Sequence, residues 1–127
     1  MEADTNLTTN FKFGEFYCNG VRPPEQYWEN IKELATELQV LRDKLKRAIV
    51  ITSGWRSVQH NKNVGGASRS QHLYGKAADI KVSGMHSKMV PLYVCRYTKL
   101  NGIGVSYSMN SITHVDTRSI FTMWFYS

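Results

Sequence analysis

The sequence predicts an α+β domain, an antiparallel sheet with its helices packed on one side. Two observations lead to this class. A long stretch with apolar residues at helical spacing precedes several short β-branched or apolar runs. In addition, 42% of the 127 residues are apolar. This is enough for one hydrophobic core, and the chain is too short to form two. We therefore expect residues 1–127 to form a single domain, and we expect a monomer.

The first half of the chain contains one long periodic segment. Pro23 and Pro24 open a pattern of apolar residues at three- and four-residue steps, which predicts an amphipathic helix over about 24–46. Ahead of it, an irregular N-terminal segment is expected to be held on the core by three aromatic rings, those of Phe11, Phe13 and Phe16.

The rest of the chain alternates short apolar runs with turn-forming residues, which is typical of strands. The predicted strands are 48–52, 77–82, 102–107, 112–117 and a closing strand at 120–126. Residues 108–111 are expected to turn a hairpin between the third and fourth strands, and 57–71 form a polar loop. A second helix is predicted over about 86–99, with Pro91 in its first turn, where proline is tolerated.

Charge and composition exclude several classes of protein. The net charge of +6 favours anionic partners in general, but no basic run is interleaved with aromatic residues, so we expect no nucleic-acid partner. No stretch approaches the roughly 20 apolar residues of a membrane span, and the N-terminus lacks the basic start of an export signal. Cys18 and Cys95 are expected to be buried free thiols, with a disulfide as the alternative.

Three potential metal ligands occur in two motifs. The first motif is Ser70-Gln-His-Leu-Tyr-Gly-Lys-Ala-Ala-Asp79, which contains His72, and the second is His114-Val-Asp116. Two histidines and one carboxylate are the nitrogen and oxygen ligands that a hydrolytic Zn²⁺ takes, with a fourth position left for water. In a strand, His114 and Asp116 would project from the same face, so one can bind the metal while the other addresses its water.

These motifs resemble the zinc D-Ala-D-Ala carboxypeptidase family, whose relatives include phage L-Ala-D-Glu endolysins and the peptidase-like domain of Hedgehog. The resemblance extends to Ile51-Thr-Ser-Gly-Trp-Arg56 and is closest to the small bacterial and phage branch that ends in H-x-D. It implies a Hedgehog/DD-peptidase-like fold and a peptidoglycan peptidase that cuts the stem peptide or cross-link, as a D,D-carboxypeptidase or endopeptidase. It also implies Zn²⁺ bound by His72, Asp79 and His114.

The resemblance assigns two further residues. Arg56 matches the arginine that lies near the substrate carboxylate or the developing oxyanion, although a structural salt bridge is the alternative. Relatives with an acid three residues before the last zinc histidine use it as general base, but Ser111 stands there in this chain. Asp116 is therefore the preferred base. A second alignment exchanges the roles, with Asp116 as third ligand and His114 as the proton-transfer group.

The expected biological context is a phage or prophage lysin or a virion-associated wall hydrolase, made in the host cytoplasm and acting on the cell wall. Two other classes compete with it. One is a catalytically inactive, peptidase-like module that binds cell wall, which the serine at position 111 favours. The other is a virion structural protein or nucleic-acid binder that uses the positive charge.

Overall fold

The computed structural model describes residues 1–106 and 112–126, and within them helices and a five-stranded sheet form an α+β fold. The helices are α1 (Trp28–Leu45), α2 (Val58–Asn63) and α3 (Val90–Tyr97). The strands are β1 (Ile49–Ser53), β2 (Ala77–Val82), β3 (Gly102–Ser106), β4 (Thr113–Asp116) and β5 (Thr122–Tyr126).

The sheet is mixed, so the prediction of an antiparallel sheet is wrong at one strand. The order is β1-β2-β4-β3-β5, in which the first four strands pair antiparallel and β5 pairs parallel with β3. Asp116 at the end of β4 and Thr122 at the start of β5 both lie opposite Gly102. The chain thus crosses the beginning of β3 and pairs along its other side, which forces β5 to run in the direction of β3.

The hydrophobic core lies between α1, α3 and one face of the sheet. From α1 the buried residues recur at helical spacing, and they are Ile31, Leu34, Ala35, Leu38 and Leu41. The sheet contributes alternate residues, chiefly Ile80, Val82, Ile103, Val105 and Val115. The remaining face of the sheet is therefore free of this packing, and it carries the polar residues described below.

The predicted helices are present, with shifted ends. A 3₁₀ turn at Glu25–Tyr27 precedes α1, and Pro91 lies in the first turn of α3 as expected. Residues 57–71 were expected to form a loop, but they contain α2, whose first turn is capped by the Ser57 hydroxyl accepting from the amide of His60. At six residues, α2 is too short to show an apolar periodicity.

Two other expectations need correction. Both cysteines are free, but only Cys18 is buried, whereas Cys95 is exposed on α3. The final strand does not close the core, since it forms a sheet edge where Met123 and Phe125 are exposed. The predicted turn at 108–111 lies outside the described residues. None of the helices in the described ranges is long and apolar enough to cross a membrane.

Candidate metal site

Three of the sequence-predicted residues meet on the polar face of the sheet. Asp79 on β2 lies directly opposite His114 on β4, so their side chains project from the same face. His72 comes from a 3₁₀ turn, Gln71–Tyr74, just before β2. One ligand atom from each of the three residues lies within 4.8 Å of the other two. The local fold therefore places two imidazoles and one carboxylate around a single point.

Hydrogen bonds on the outer side of each imidazole determine which nitrogen faces that point. His72 Nδ1 lies 2.7 Å from the carbonyl oxygen of Gly54, and His114 Nε2 lies 2.7 Å from Asp116 Oδ2. Because both partners accept a hydrogen bond, each outer nitrogen carries the ring proton, and a neutral imidazole keeps its lone pair on the other nitrogen. Those nitrogens, His72 Nε2 and His114 Nδ1, lie 3.3 and 3.4 Å from Asp79 Oδ1. This donor set fits Zn²⁺.

The electrostatics favour an ionised Asp79. Burial raises the pKa of this carboxyl, but its contacts with His114 and His72 outweigh burial and hold the pKa well below its ordinary value. Burial lowers the pKa of His114, whereas its contacts with Asp116 and Asp79 raise it, and the net pKa is raised. Asp79 is thus ionised at neutral pH, as a carboxylate that binds metal must be, and the raised pKa of His114 means that protons compete with a metal for this ring.

Asp116 lies behind His114, on the side of the ring away from Asp79. It is fully buried, and besides His114 it accepts from Arg118, whose Nη2 and Nε lie 2.7 and 2.8 Å from the two carboxylate oxygens. The backbone amide of Arg118 donates to Oδ1 as well. These contacts hold the pKa of Asp116 low against the effect of burial, which raises it. Among the described residues, Asp116 is not part of the metal-ligating group.

Arg56 contacts Asp79 Oδ2, whereas the two histidines contact Asp79 Oδ1. Its Nη2 forms an ion pair of 3.1 Å with Asp79 Oδ2, and its other nitrogens donate to Ser53 Oγ and Asn61 Oδ1. Both side chains of the ion pair are 15% exposed. The salt bridge that was the alternative role of Arg56 is therefore present, and a substrate contact by the same guanidinium stays a prediction.

Residues 9–116 of the chain match the family described as Peptidase M15. The match covers most of the chain and includes the five site residues predicted from the sequence, Arg56, His72, Asp79, His114 and Asp116. The chain belongs to the peptidase M15 family. It is also 49% identical over 45 residues to a zinc D-Ala-D-Ala carboxypeptidase of Streptomyces albus G, and those residues make up 35% of this chain and 18% of that enzyme. The M15 assignment thus rests on the family match, and the enzyme adds a local similarity.

The site of this M15 family member includes residues that sequence reasoning missed. Cross-strand pairing produces a row that runs from Asp79 through His114 and Gly104 to Trp124. The absence of a side chain at Gly104 lets the Trp124 indole lie across the sheet, with its ring 5.0 Å from that of His114. The Arg118 guanidinium stacks 4.9 Å from the indole. The alternating glycines in Gly102-Ile-Gly104 are visible in the sequence, but the side chains that lie against them across the sheet, Asp116 and Trp124, could not be predicted from it.

A cavity opens over the three candidate metal-binding residues. Besides these three residues, it is lined by Trp124 and Tyr126 of β5, by three arginines, and by the loop that leads to His72. The two remaining histidines do not line it; His60 is half-buried and His86 is exposed. Trp55 is buried in the core, with its indole nitrogen donating to the Leu73 carbonyl.

Proposed function

We propose that this chain is a zinc-dependent peptidase that hydrolyses a peptide bond in the stem peptide or cross-link of peptidoglycan, as a D,D-carboxypeptidase or endopeptidase. The observation that supports it most is the arrangement of imidazole lone pairs. His72 and His114 each use their outer nitrogen for a hydrogen bond and present the inner one beside the carboxylate of Asp79. The family match and the name of the Streptomyces relative agree with this chemistry.

In this proposal His72, Asp79 and His114 hold the metal. When bound, Zn²⁺ supplies a Lewis acid that polarises a carbonyl and makes a water molecule nucleophilic near neutral pH. Arg56 keeps Asp79 oriented through their ion pair. Its fixed positive charge also stabilises negative charge that develops on the substrate next to the ligand group.

Asp116 acts through His114 in the same proposal. Its carboxylate fixes the ring orientation and tautomer of His114, a role that outer carboxylates commonly play in zinc sites. Arg118 in turn fixes Asp116 by two side-chain hydrogen bonds. We therefore favour Asp116 as a positioning residue over the roles of general base or third ligand that the sequence suggested.

The test is mass spectrometry of peptidoglycan fragments after digestion. The zinc-loaded protein should release new peptide termini from purified walls, and these termini identify the bond. Chelation should abolish release and added Zn²⁺ should restore it. His114→Gln should release no peptides. His86→Gln, which changes an exposed histidine away from the cavity, should release them as the wild type does. Full activity in a verified metal-free sample would rule the proposal out.

One observation favours a second function, a peptidase-like module that binds wall peptides without cutting them. Among the described residues that line the cavity, Asp79 is the sole carboxylate, and it belongs to the candidate metal-binding group. These residues therefore offer no second carboxylate to act as general base. A zinc-loaded protein that sediments with walls but releases no peptides would establish this binding function.

The proposal includes a phage or prophage lysin as the biological context. The net charge of +6 supports adhesion to an anionic cell wall, although it does not select a bond. Lysis of permeabilised bacterial cells by the added protein, absent for His114→Gln, is the expected result. Release of peptides from walls without any lysis of cells would argue for another context.

A further inference from the structure

Three arginines line the cavity, and two of them already have an anionic partner. Arg56 pairs with Asp79, and Arg118 pairs with Asp116 while its guanidinium stacks on Trp124. Both guanidinium groups are thus largely committed to holding the ligand group in place. Their charge is locally balanced before any substrate arrives.

Arg69 is different. It lines the same cavity but is exposed, and it has no ion pair or hydrogen-bonded side-chain partner within residues 1–106 and 112–126. The acidic lining described above is Asp79 alone, which Arg56 neutralises. The free positive charge in the cavity therefore belongs to Arg69, and a bound Zn²⁺ would add to it.

The backbone on either side of Arg69 is fixed to the site. Buried Asn61, 3% exposed, donates from Nδ2 to the carbonyl of Ala67 at 2.9 Å. The same carbonyl accepts from the amide of Ser70, whose hydroxyl in turn accepts from the amide of His72. Arg69 lies between these two anchored positions. Its side chain starts from a defined point three residues from a metal ligand, so the position of its charge relative to the ligand group is constrained.

We propose that Arg69 is a specificity-determining residue that binds a carboxylate of the peptide substrate beside the bond that is cut. The assignment rests on the proposed function for the identity of the substrate as a wall peptide. A planar guanidinium with free donors forms paired hydrogen bonds to a carboxylate. Wall stem peptides carry such groups at the C-terminal D-Ala and at the α-position of D-Glu, and an amide at either place would remove the charge.

Equilibrium binding tests this assignment without depending on turnover. The probes are a stem pentapeptide with both carboxylates, the same peptide amidated at the C-terminus, and the same peptide amidated at D-Glu. Each is titrated calorimetrically into metal-free protein, which by the proposed function does not hydrolyse them. We expect the unmodified peptide to bind roughly fivefold to tenfold tighter than one of the amidated forms, and that form identifies the carboxylate.

Three variants complete the design. Arg69→Gln should bind all three peptides alike, with a weakened affinity for the unmodified one. Arg69→Lys should recover part of the preference, since it keeps the charge but loses the paired geometry. Lys62→Gln removes an exposed cation from α2 that does not line the cavity, and should behave as the wild type.

Either of two results overturns the role of Arg69: a wild-type preference that survives in Arg69→Gln, or a wild-type protein that binds the three peptides equally or not at all. Failure of the proposed function gives a different pattern. In that case no peptide is hydrolysed, yet the preference for one carboxylate is present and disappears in Arg69→Gln. If peptides are hydrolysed but bound without any charge preference, the proposed function stands and the role of Arg69 is ruled out.

Discussion

Asp116 and His114 illustrate what two residues of spacing can and cannot specify. Alternation along a strand predicts that both side chains project from one face, and both do. Alternation does not specify which nitrogen of His114 the carboxylate meets. Asp116 meets His114 Nε2 and at the same time accepts two side-chain hydrogen bonds from Arg118, which follows the strand. The sequence therefore predicted the correct set of residues at this place, whereas the direction of the contact required coordinates.

Replacing Asp116 with asparagine distinguishes its possible roles. If the residue orients His114, Asp116→Asn should weaken zinc affinity by about tenfold to a hundredfold, the range for an outer partner of a metal-binding histidine. Competition with a chromogenic chelator measures this affinity. An unchanged zinc affinity together with a large loss of turnover would instead indicate that Asp116 is the general base.

The raised pKa of His114 makes zinc binding sensitive to pH. In the metal-free protein, contacts with Asp116 and Asp79 favour the protonated ring, and Zn²⁺ must displace that proton. Zinc affinity should therefore fall steadily as the pH is lowered from about 8 to about 5.5, a range that spans the ordinary histidine pKa of about 6.5. Calorimetry in buffers of different ionisation enthalpy should show proton release on binding. Constant affinity across this range would contradict the prediction.

At the scale of elements, β3 provides space for the site rather than ligands. A Cβ at Gly102 would clash with the carboxylate of Asp116, and one at Gly104 would lie 2.9 Å from atoms of the Trp124 indole. The two glycines therefore accommodate, respectively, a buried and fully hydrogen-bonded carboxylate and a half-buried ring on an edge strand.

Alanine at these two positions should have unequal effects. Gly102→Ala should destabilise the protein by about 1–3 kcal/mol and weaken zinc binding, because the added methyl overlaps the carboxylate of Asp116, which is fully buried and cannot move into solvent. Gly104→Ala should cost less stability, because Trp124 can move outwards. Thermal unfolding and zinc competition measure both changes.

A double-mutant cycle provides the control for Gly104. In a Trp124→Ala background, the added methyl of Gly104→Ala has room, so its effect on stability and zinc affinity should shrink. Equal effects of Gly104→Ala with and without the indole would show that the glycine serves another purpose.

The elements that could be predicted have a repeated pattern within themselves. α1 buries five apolar residues at helical spacing, and β2 was predicted with its observed bounds. The direction of β5 could not be predicted, because a five-residue strand has the same alternation whether it pairs parallel or antiparallel. Its position followed from the crossing beside Gly102, which is a long-range property of the chain.

For the whole molecule, the two depressed aspartate pKa values determine the response to acid. Asp79 and Asp116 both have pKa values below the ordinary aspartate value of about 3.9. Their contribution to stability is complete above that value and is lost as the pH falls towards the lowered pKa values, because the unfolded chain then binds more protons. The metal-free protein should therefore lose stability steeply below about pH 4.

Urea unfolding across this acidic range measures the effect. Asp116→Asn lacks one of the two groups, so its stability should depend less steeply on pH than that of the wild type. Parallel curves for the two proteins would show that Asp116 does not contribute to the acid response.

The site as a whole could be predicted as a set of residues, since His72, Asp79 and His114 stand in motifs with recognisable spacing and do converge. Its walls could not. Trp124 and Tyr126 come from β5, and the loop of Arg69 is held by Asn61, a buried polar residue with no motif around it. Contacts of this kind depend on packing between segments distant along the chain.

The crossing that brings β5 alongside β3 places metal binding and the far wall of the cavity on separate stretches of polypeptide. All three proposed ligands lie within residues 9–116, the portion shared with the family, whereas Trp124 follows it. Exchanging residues 120–126 would thus reshape one side of the cavity and leave the inner coordination residues intact. Grafting a different sequence onto β5 should therefore change which peptides the cavity accepts, with a smaller effect on metal affinity through the contact between the Trp124 and His114 rings.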